Sequence, residues 1–342
     1  MRCDGGATMS LLAKRIASQD GRPEEVRPQK LAFVLSGGGP RGALQVGALR
    51  ALFEADIHPD ILVGTSIGAI NAAYLARFGY SEEGIERLIQ VWDDAARGDF
   101  APGDFARAMI RTLLPGLKNQ GYLEQARAFY ARHGIPPGLR FRDLTGPELY
   151  IVAADIHHHR PIIFGENPDD LVLDCMLASA AIPPWLPPME FEQGVMIDGG
   201  AVSDVPIEPA LKQGATEIIA LDLFHPRPPD RPIQGFLAIL DQVITTMENR
   251  HIELELELAR LQGVPVHRWQ LRYDQRIAFW DLSHTHNLIH VGYETAKTYL
   301  AEMAQARREQ ASREDLPTRS WGDQLTELWM TTRAQWRRLF RK

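Results

Sequence analysis

Two patterns of apolar residues alternate along this chain. Short apolar runs rich in Val, Ile and Leu are typical of buried strands, whereas longer stretches with apolar residues every three or four positions are typical of helices. The strand-like runs lie at residues 31–36, 60–63, 148–156, 195–197, 217–224 and 265–271. The helix-like stretches lie at residues 43–55, 67–76, 205–214, 236–262 and 287–304. This alternation predicts an α/β protein with a mostly parallel sheet and helices on both faces.

Three glycine-rich segments directly follow strand-like runs. GGGPRG occupies residues 37–42, GTSIG occupies residues 64–68, and DGG occupies residues 198–200. In an open α/β sheet, active sites are built where strands end. These three segments are therefore the candidate functional segments of the chain.

GTSIG has the Gly-Xaa-Ser-Xaa-Gly pattern of a nucleophile elbow. Gly64 and Gly68 permit a tight turn between a strand and a helix, and this turn exposes the hydroxyl group of Ser66. Small residues in the following helix let it approach the sheet and direct its N-terminal N–H groups toward the serine. The pattern is short and also occurs by chance. The strand before it and the helix after it favour Ser66 as a catalytic nucleophile.

GGGPRG is a candidate oxyanion hole. Its glycines leave backbone N–H groups unobstructed, so Gly37, Gly38 and Gly39 can bind an oxygen that becomes negatively charged during acyl transfer. Pro40 lacks an N–H group, but its fixed φ suits the first turn of a helix. Arg41 either attracts an anionic substrate or pins the loop through a salt bridge.

The same six residues, ending at Gly42, also fit the GxGxxG pattern of dinucleotide-binding folds. Those folds need an acidic residue at the end of the second strand, where it binds the ribose. Here residues 64–66 occupy that strand end, whereas Asp56 and Asp60 lie before the strand or at its start. Nucleotide binding is therefore disfavoured.

A serine hydroxyl needs a base that accepts its proton. One option is a Ser-Asp-His triad, and the other is a serine–aspartate dyad. Asp198 suits the dyad because it ends an apolar strand and because Gly199 and Gly200 let the backbone bend toward Ser66, although DGG is also an ordinary turn sequence. Only one strand and one helix, residues 31–54, precede the elbow strand, which is the wrong order for an α/β-hydrolase. The histidines available for a triad are His225, His267, His284, His286 and His290.

Four sequence blocks in this order resemble those of patatin-like phospholipases: GGGPRG, GTSIGAINAA, ASAAIPP at residues 178–184, and DGG. The resemblance covers about residues 31–300. It implies a three-layer α/β/α sandwich, a catalytic dyad of Ser66 and Asp198, and an oxyanion hole at Gly37–Gly39. The serine at position 36, directly before the glycine-rich loop, is similar to the residue found there in bacterial members of the family. Pro40 stands at a position where family members more often have a small residue. The supporting motif positions are Arg41, Gly42, Gly64, Gly68, Gly199 and Gly200.

The same resemblance implies hydrolysis of acyl esters in lipids, with no metal and no organic cofactor. The expected function is a serine-dependent lipid acyl hydrolase of the phospholipase A, lysophospholipase or esterase type, acting through an acyl-enzyme on Ser66. The alternative is a non-catalytic lipid-binding or scaffold protein that retains the fold. The presence of Ser66, Asp198 and the loop glycines together favours the enzyme.

Residues 81–145 form a predicted helical insertion after the elbow helix, broken by prolines. An apolar stripe in it either belongs to the core or forms a cap that lines an acyl-chain pocket over Ser66. Residues 178–191 contain four prolines, which favour a rigid loop at a pocket rim, with Trp185 either filling the core or contacting lipid. The stripe consists of Phe105, Met109, Ile110, Leu113 and Leu114.

The composition of the 342 residues fits a globular protein, with 45% hydrophobic residues. A net charge of −7 argues against nucleic acid as a partner. With Cys3 and Cys175 as the only cysteines, no disulfide framework is expected, and the predicted location is cytoplasmic. The histidines at 157–159 and at positions 284, 286 and 290 lack matching carboxylate or cysteine ligands at suitable spacing, so a metal site is disfavoured.

The two ends of the chain differ from its centre. Residues 1–29 lack an apolar signal-peptide core and are expected to be a flexible extension, and no stretch approaches the ~20 apolar residues of a membrane span. Residues 30–300 are the predicted acyl hydrolase domain, and residues 301–342 are a predicted helical tail. Within the tail, residues 325–342 form a basic amphipathic helix that either contacts a membrane peripherally or docks on the body of the protein.

Overall fold

The alternation of strands and helices read from the sequence is present in the computed structural model, which describes residues 29–99, 120–183, 186–223, 235–275, 277–278 and 281–314. The strands are β1 (Leu31–Leu35), β2 (Ile61–Thr65), β3 (Glu148–Asp155), β4 (Arg160–Phe164), β5 (Met189–Phe191), β6 (Gly194–Asp198), β7 (Glu217–Asp222) and β8 (Val266–Gln270). The helices are α1 (Gly42–Glu54), α2 (Ile67–Phe78), α3 (Glu82–Asp94), α4 (Gln120–Arg132), α5 (Val172–Ser179), α6 (Ile207–Lys212), α7 (Phe236–Gln262) and α8 (Thr285–Glu314). Short helical turns lie at Gly39–Arg41, Ala95–Asp99, Phe141–Asp143 and Gly199–Ala201.

All of these strands belong to one sheet. Its order is β5-β6-β3-β2-β1-β7-β8, and β4 pairs with β3. The five strands from β3 to β8 in this order are mutually parallel, whereas β4, β5 and β6 pair in antiparallel fashion. The prediction of a mostly parallel sheet is confirmed, and the antiparallel strands lie at one side of it.

The edge of β3 that faces β2 is shared by two strands. Strand β2 pairs with β3 up to the pair Thr65 and Val152, and β6 pairs with β3 from the next position, where Asp198 lies opposite Ala153. Strand β4 occupies the other edge of β3 over the same stretch. Because β2 and β6 run in opposite directions, their carboxyl ends meet head to head. This arrangement brings the residues that follow β2 next to the end of β6.

Helices cover both faces of the sheet, which confirms the three-layer α/β/α architecture. One apolar cluster joins the sheet to α1, α2, α3, α4, α5 and α8, and a second cluster joins the opposite face to α6 and α7. Helices α1 and α8 cross in close contact, since a Cβ atom on Gly292 would lie 1.9 Å from the backbone oxygen of Leu44. Buried apolar area on both faces supplies the main stabilisation of such a fold.

The sequence analysis missed several short elements. Strands β4 and β5 and helix α5 were not predicted, and Ala178 and Ser179 end α5 rather than beginning a loop. The predicted insertion contains α3 and α4, and α8 continues through position 300, where the domain boundary was placed. The stripe at 105–114, Trp185, the extension at 1–28 and the amphipathic segment at 325–342 lie outside the described residues.

Candidate active site

Ser66 stands alone between β2 and α2 in a strained backbone conformation. Its φ of 54° and ψ of −122° are unfavourable for a residue with a side chain, and such strain is concentrated at functional sites. The flanking Gly68 has to be a glycine, because a Cβ atom there would lie 2.2 Å from the backbone oxygen of Leu35. The helix N-terminus is thereby packed against the end of β1. The predicted nucleophile elbow is present as strand, turn and helix.

The ASAAIPP segment forms hydrogen bonds with the backbones of both Ser66 and Asp198. The hydroxyl group of Ser179 accepts a hydrogen bond from the Ser66 N–H at 2.9 Å and donates one to the backbone oxygen of Val152 at 2.6 Å. The backbone oxygen of Ala181 accepts a hydrogen bond from the Asp198 N–H at 3.1 Å. One segment therefore fixes the backbone of Ser66 and that of Asp198. The sequence analysis gave Ser179 no role, since a serine within an apolar run carries no local signal of such a contact.

Asp198 ends β6 with its carboxyl group buried. The Gly200 N–H donates a hydrogen bond to Oδ1 at 2.8 Å, whereas Oδ2 has no hydrogen-bond partner among the described residues. Burial raises the pKa of this carboxyl group to about 6. The nearby Ser66 hydroxyl group partly offsets this rise by lowering the pKa of Asp198. The side chains of Ser66 and Asp198 are nevertheless outside normal hydrogen-bond geometry. Hydrogen bonds between catalytic groups commonly shorten when substrate binds.

The glycine-rich loop lies directly against Ser66. A Cβ atom on Gly37 would lie 3.3 Å from the Cβ atom of Ser66. The Gly37 N–H donates a hydrogen bond to the backbone oxygen of Asp204 at 3.2 Å, so this group is already engaged. Of the three predicted oxyanion donors, Gly38 and Gly39 are the better candidates, and both have positive φ values. Gly42 begins α1 immediately after the loop.

Buried polar side chains form a hydrogen-bond network that reaches the backbone next to the glycine-rich loop. The Gln45 amide donates hydrogen bonds to the backbone oxygens of Ser36 and Leu221, at 3.0 and 3.1 Å. The Asn71 amide donates to the Gln45 side-chain oxygen, and the Trp92 indole N–H donates to the Asn71 side-chain oxygen, both at 2.9 Å. Buried polar groups that satisfy one another fix a single geometry. The sequence analysis did not identify this network, because its members lie on three different elements.

Several charged groups that the sequence analysis missed lie near Ser66 and Asp198. Asp204 follows the DGG segment, and burial together with the nearby carboxylates of Glu248 and Asp222 raises its pKa well above the usual value, whereas Arg41 lowers it. Asp222 ends β7 and forms a salt bridge of 2.7 Å with Arg268. Arg41 therefore lies close enough to the carboxyl groups of Asp204 and Asp222 to interact with them electrostatically. This position favours the loop-pinning role for Arg41 over attraction of an anionic substrate.

Three of the candidate triad histidines lie near carboxylates of other residues. His267 lies 2.9 Å from Glu217 at the amino end of β7, and His286 lies 3.5 Å from Asp93 on α3. His284 lies 3.8 Å from Asp281, and His225 falls outside the described residues. Within the described ranges, no group of three or more His, Cys, Asp or Glu side chains is arranged to hold a metal ion. The carboxyl group of Asp198 lies close enough to Ser66 for the Ser66 hydroxyl group to influence its pKa.

A glycine-rich loop, a strained serine turn and a buried aspartate meet at one end of the sheet in a three-layer α/β/α fold. The family profile described as Patatin-like phospholipase matches residues 33–211. The chain belongs to this family, as the sequence blocks had indicated.

Individual relatives are distant. The uncharacterized protein YqhO of Bacillus subtilis is 29% identical over 238 residues, which cover 64% of this chain and 80% of that protein. The lysophospholipase nte1 of Aspergillus terreus is 28% identical over 195 residues, covering 57% of this chain but 12% of the fungal protein. The crystal structure of VipD from Legionella pneumophila aligns with a TM-score of 0.40 at 14% identity, covering 80% of this chain and 67% of that one.

In the part of the chain that the structure covers, no helix combines the length and the apolar character needed to cross a bilayer.

Proposed function

We propose that this protein is a serine-dependent lipid acyl hydrolase in which Ser66 is the nucleophile and Asp198 is the base. The observation that carries the proposal is the end-to-end meeting of β2 and β6. It sets the strained Ser66 beside a buried carboxyl group, one oxygen of which has no hydrogen-bond partner among the described residues. Membership in a phospholipase family supports a lipid ester as the substrate. The name lysophospholipase carried by one relative is consistent with this class.

The proposed reaction proceeds through an acyl-enzyme. The Ser66 oxygen attacks the ester carbonyl carbon while Asp198 accepts the hydroxyl proton. The N–H groups of Gly38 and Gly39, with the N-terminus of α2, stabilise the negative charge that develops on the carbonyl oxygen. When the tetrahedral intermediate collapses, the C–O bond to the alcohol or lysolipid breaks, and the leaving oxygen takes the proton from Asp198. Water then attacks the acyl-enzyme while Asp198 accepts a proton from it. The bond between the acyl carbon and the Ser66 oxygen breaks, the Ser66 oxygen takes the proton back from Asp198, and the fatty acid is released.

The environment of Asp198 suits this role. An aspartate with an ordinary pKa is a weak base, whereas burial raises the pKa of Asp198 to about 6. The group is then ionised at neutral pH and closer to the pKa that is most effective for proton transfer near pH 7. The hydrogen bond from the Gly200 N–H keeps Oδ1 in place and leaves Oδ2 for the serine proton.

Labelling with a fluorophosphonate probe tests the nucleophile. We expect covalent labelling of the wild type and of Ser283→Ala, a control that removes an exposed hydroxyl group, and no labelling of Ser66→Ala. Absence of labelling in a folded wild type would favour the non-catalytic lipid-binding alternative. Labelling that survives in Ser66→Ala would place the nucleophile elsewhere.

The dyad is distinguished from a triad by replacing histidines. Under the dyad mechanism, combined replacement of His284, His286 and His290 by Gln leaves ester hydrolysis largely intact. A loss of about 10²-fold or more in a folded variant would restore the triad as an explanation.

We also propose a domain boundary and a role for the C-terminal segment. Residues 30–300 are proposed as the acyl hydrolase domain, and the segment at 325–342 is proposed to contact anionic membranes peripherally. Sedimentation with anionic vesicles tests the second proposal. Binding that is undiminished after deletion of residues 320–342 would exclude this segment as the anchor.

A further inference from the structure

Ser203 and Asp204, which closely follow the DGG segment, link the serine elbow to the glycine-rich loop. The Thr65 hydroxyl group, at the end of β2, donates a hydrogen bond to the backbone oxygen of Ser203 at 2.8 Å. The Gly37 N–H donates one to the backbone oxygen of Asp204 at 3.2 Å. The Ser203 hydroxyl group in turn donates to the carboxylate of Glu255 on α7. Residues 203 and 204 therefore fix the end of β2 relative to the start of the loop.

The side chain of Asp204 lies against the same loop. A Cβ atom on Gly37 would lie 2.6 Å from the Oδ1 atom of Asp204 and 3.3 Å from the Cβ atom of Ser66. The carboxyl group thus lies beside Gly37 in the space where another residue would carry its side chain. A Cβ atom on Gly200 would lie 3.6 Å from the same Oδ1 atom and 3.0 Å from Oδ1 of Asp198. The carboxyl groups of Asp198 and Asp204 therefore both lie beside Gly200, and that of Asp204 also contacts the loop.

The surroundings of these two carboxyl groups differ. Asp198 accepts a hydrogen bond from a backbone N–H, and its pKa is about 6. Asp204 is only partly exposed, and the charged groups that face it come from four parts of the chain: Asp198, Asp222 at the end of β7, Glu248 on α7, and Arg41 before α1. Burial and the three carboxylates raise the pKa of Asp204 well above its usual value, and Arg41 opposes this rise. Where two neighbouring carboxyl groups have environments that separate their pKa values, one is ionised and the other neutral in the working pH range.

We propose that Asp204 positions the glycine-rich loop as a neutral carboxylic acid, and that activity falls at alkaline pH when this group loses its proton. The inference rests on the proposed function. A neutral side chain packs against Gly37 without adding a charge beside the oxygen that becomes negative at the loop. An ionised Asp204 would place a further negative charge near that oxygen, and like charges repel strongly where water is largely excluded. The protein is then active in the pH window in which Asp198 is ionised and Asp204 is not.

Urea unfolding tests the protonation of Asp204 without any substrate. A carboxyl group whose pKa is raised by folding contributes stability that is fully present below its unfolded pKa and is lost as the pH rises through its folded pKa. Relative to wild type, Asp204→Asn should therefore gain stability as the pH rises, and this gain should level off at a higher pH than the gain of Asp198→Asn. Asp56→Asn, which changes an exposed side chain, is the control and should show no such gain. If Asp204→Asn shows no gain, or a gain that levels off no later than that of Asp198→Asn, the inference is wrong whether or not the protein hydrolyses esters.

Two substitutions separate the shape of Asp204 from its charge. Asp204→Ala removes the group beside Gly37, and the loss of this support should slow fluorophosphonate labelling of Ser66 by up to about 10²-fold at every pH. Asp204→Asn keeps the shape and carries no charge, so near neutral pH it should restore most of that rate. In folded variants, labelling of Asp204→Ala at the wild-type rate, or of Asp204→Asn at the low rate of Asp204→Ala, would contradict the positioning role.

The pH dependence of the initial labelling rate is the decisive measurement. In wild type and in Asp56→Asn, we expect the rate to rise at about pH 6, as Asp198 becomes ionised, and to fall about tenfold or more at a higher pH. Asp204→Asn should keep the rise and lack the alkaline fall. A fall that persists in Asp204→Asn, or its absence from the wild type, would overturn the inference and leave the proposed function intact. If a folded wild type is not labelled at any pH, the proposed function itself fails, and the positioning role fails with it.

Discussion

Replacing Asp198 with Asn should inactivate the protein and stabilise it at the same time. Burial raises the pKa of this carboxyl group from 3.8 to about 6 in the folded protein. Asn has nearly the same shape, keeps an oxygen that accepts the Gly200 N–H, and carries no charge. The substitution therefore removes the unfavourable burial of a carboxylate and retains the local hydrogen bond.

The sign and size of the effect follow from linkage. A group whose pKa is raised by folding contributes stability that is fully present below its unfolded pKa and is lost as the pH rises through its folded pKa. A rise from 3.8 to about 6 corresponds to ~3 kcal/mol. The free energy of unfolding of Asp198→Asn, relative to wild type, should thus increase by up to ~3 kcal/mol between about pH 4 and about pH 8.

Urea unfolding of the two proteins across this pH range measures the difference, and Asp56→Asn serves as a control because its side chain is solvent-exposed. In parallel, ester hydrolysis by the wild type should rise with pH through about 6, as Asp198 becomes ionised, and should fall about 10²–10⁴-fold in Asp198→Asn. A stability difference that does not change with pH would refute the buried carboxylate. Activity retained in Asp198→Asn would refute its role as the base.

Three further substitutions test the surroundings of the site. Arg268→Met leaves the buried Asp222 carboxylate without its partner at 2.7 Å, so urea unfolding near pH 7 should show a loss of about 3 kcal/mol that shrinks in acid. Gly292→Ala places a Cβ atom 1.9 Å from a backbone oxygen of α1 and should cost about 2 kcal/mol or more in the same assay; an unchanged stability would contradict the close helix crossing. Trp92→Phe removes the hydrogen bond to Asn71 and should lower stability by about 1–3 kcal/mol, with slower ester hydrolysis if the network positions the loop.

The sequence predicted the long elements well because their signals are local. Helix α7 spans the residues 236–262 expected from its apolar period, and β1, β2, β7 and β8 coincide with apolar runs. It missed β5, which has only three residues, and α5, whose apolar run lacks a clear period. Short strands and helices are stabilised mainly by packing against neighbouring elements. Their own residues therefore carry little of the signal that a sequence pattern can detect.

The candidate site divides in the same way. The elbow at Ser66 and the turn at Asp198 were identified from glycine spacing, since a tight turn depends on a few adjacent residues. The engagement of the Gly37 N–H by the backbone of Asp204 and the hydrogen bond from Ser66 to Ser179 join residues more than a hundred positions apart. No local pattern encodes such contacts.

By itself, then, the sequence determined the alternation of strands and helices, the tight turn at Ser66 and the glycine-rich loop, because each follows from the conformational preferences of neighbouring residues. Only the tertiary structure decided that β6 runs antiparallel and meets β2 end to end along β3. That pairing depends on which strand edges remain open once the sheet has assembled, and it is the physical reason why Asp198 stands beside Ser66.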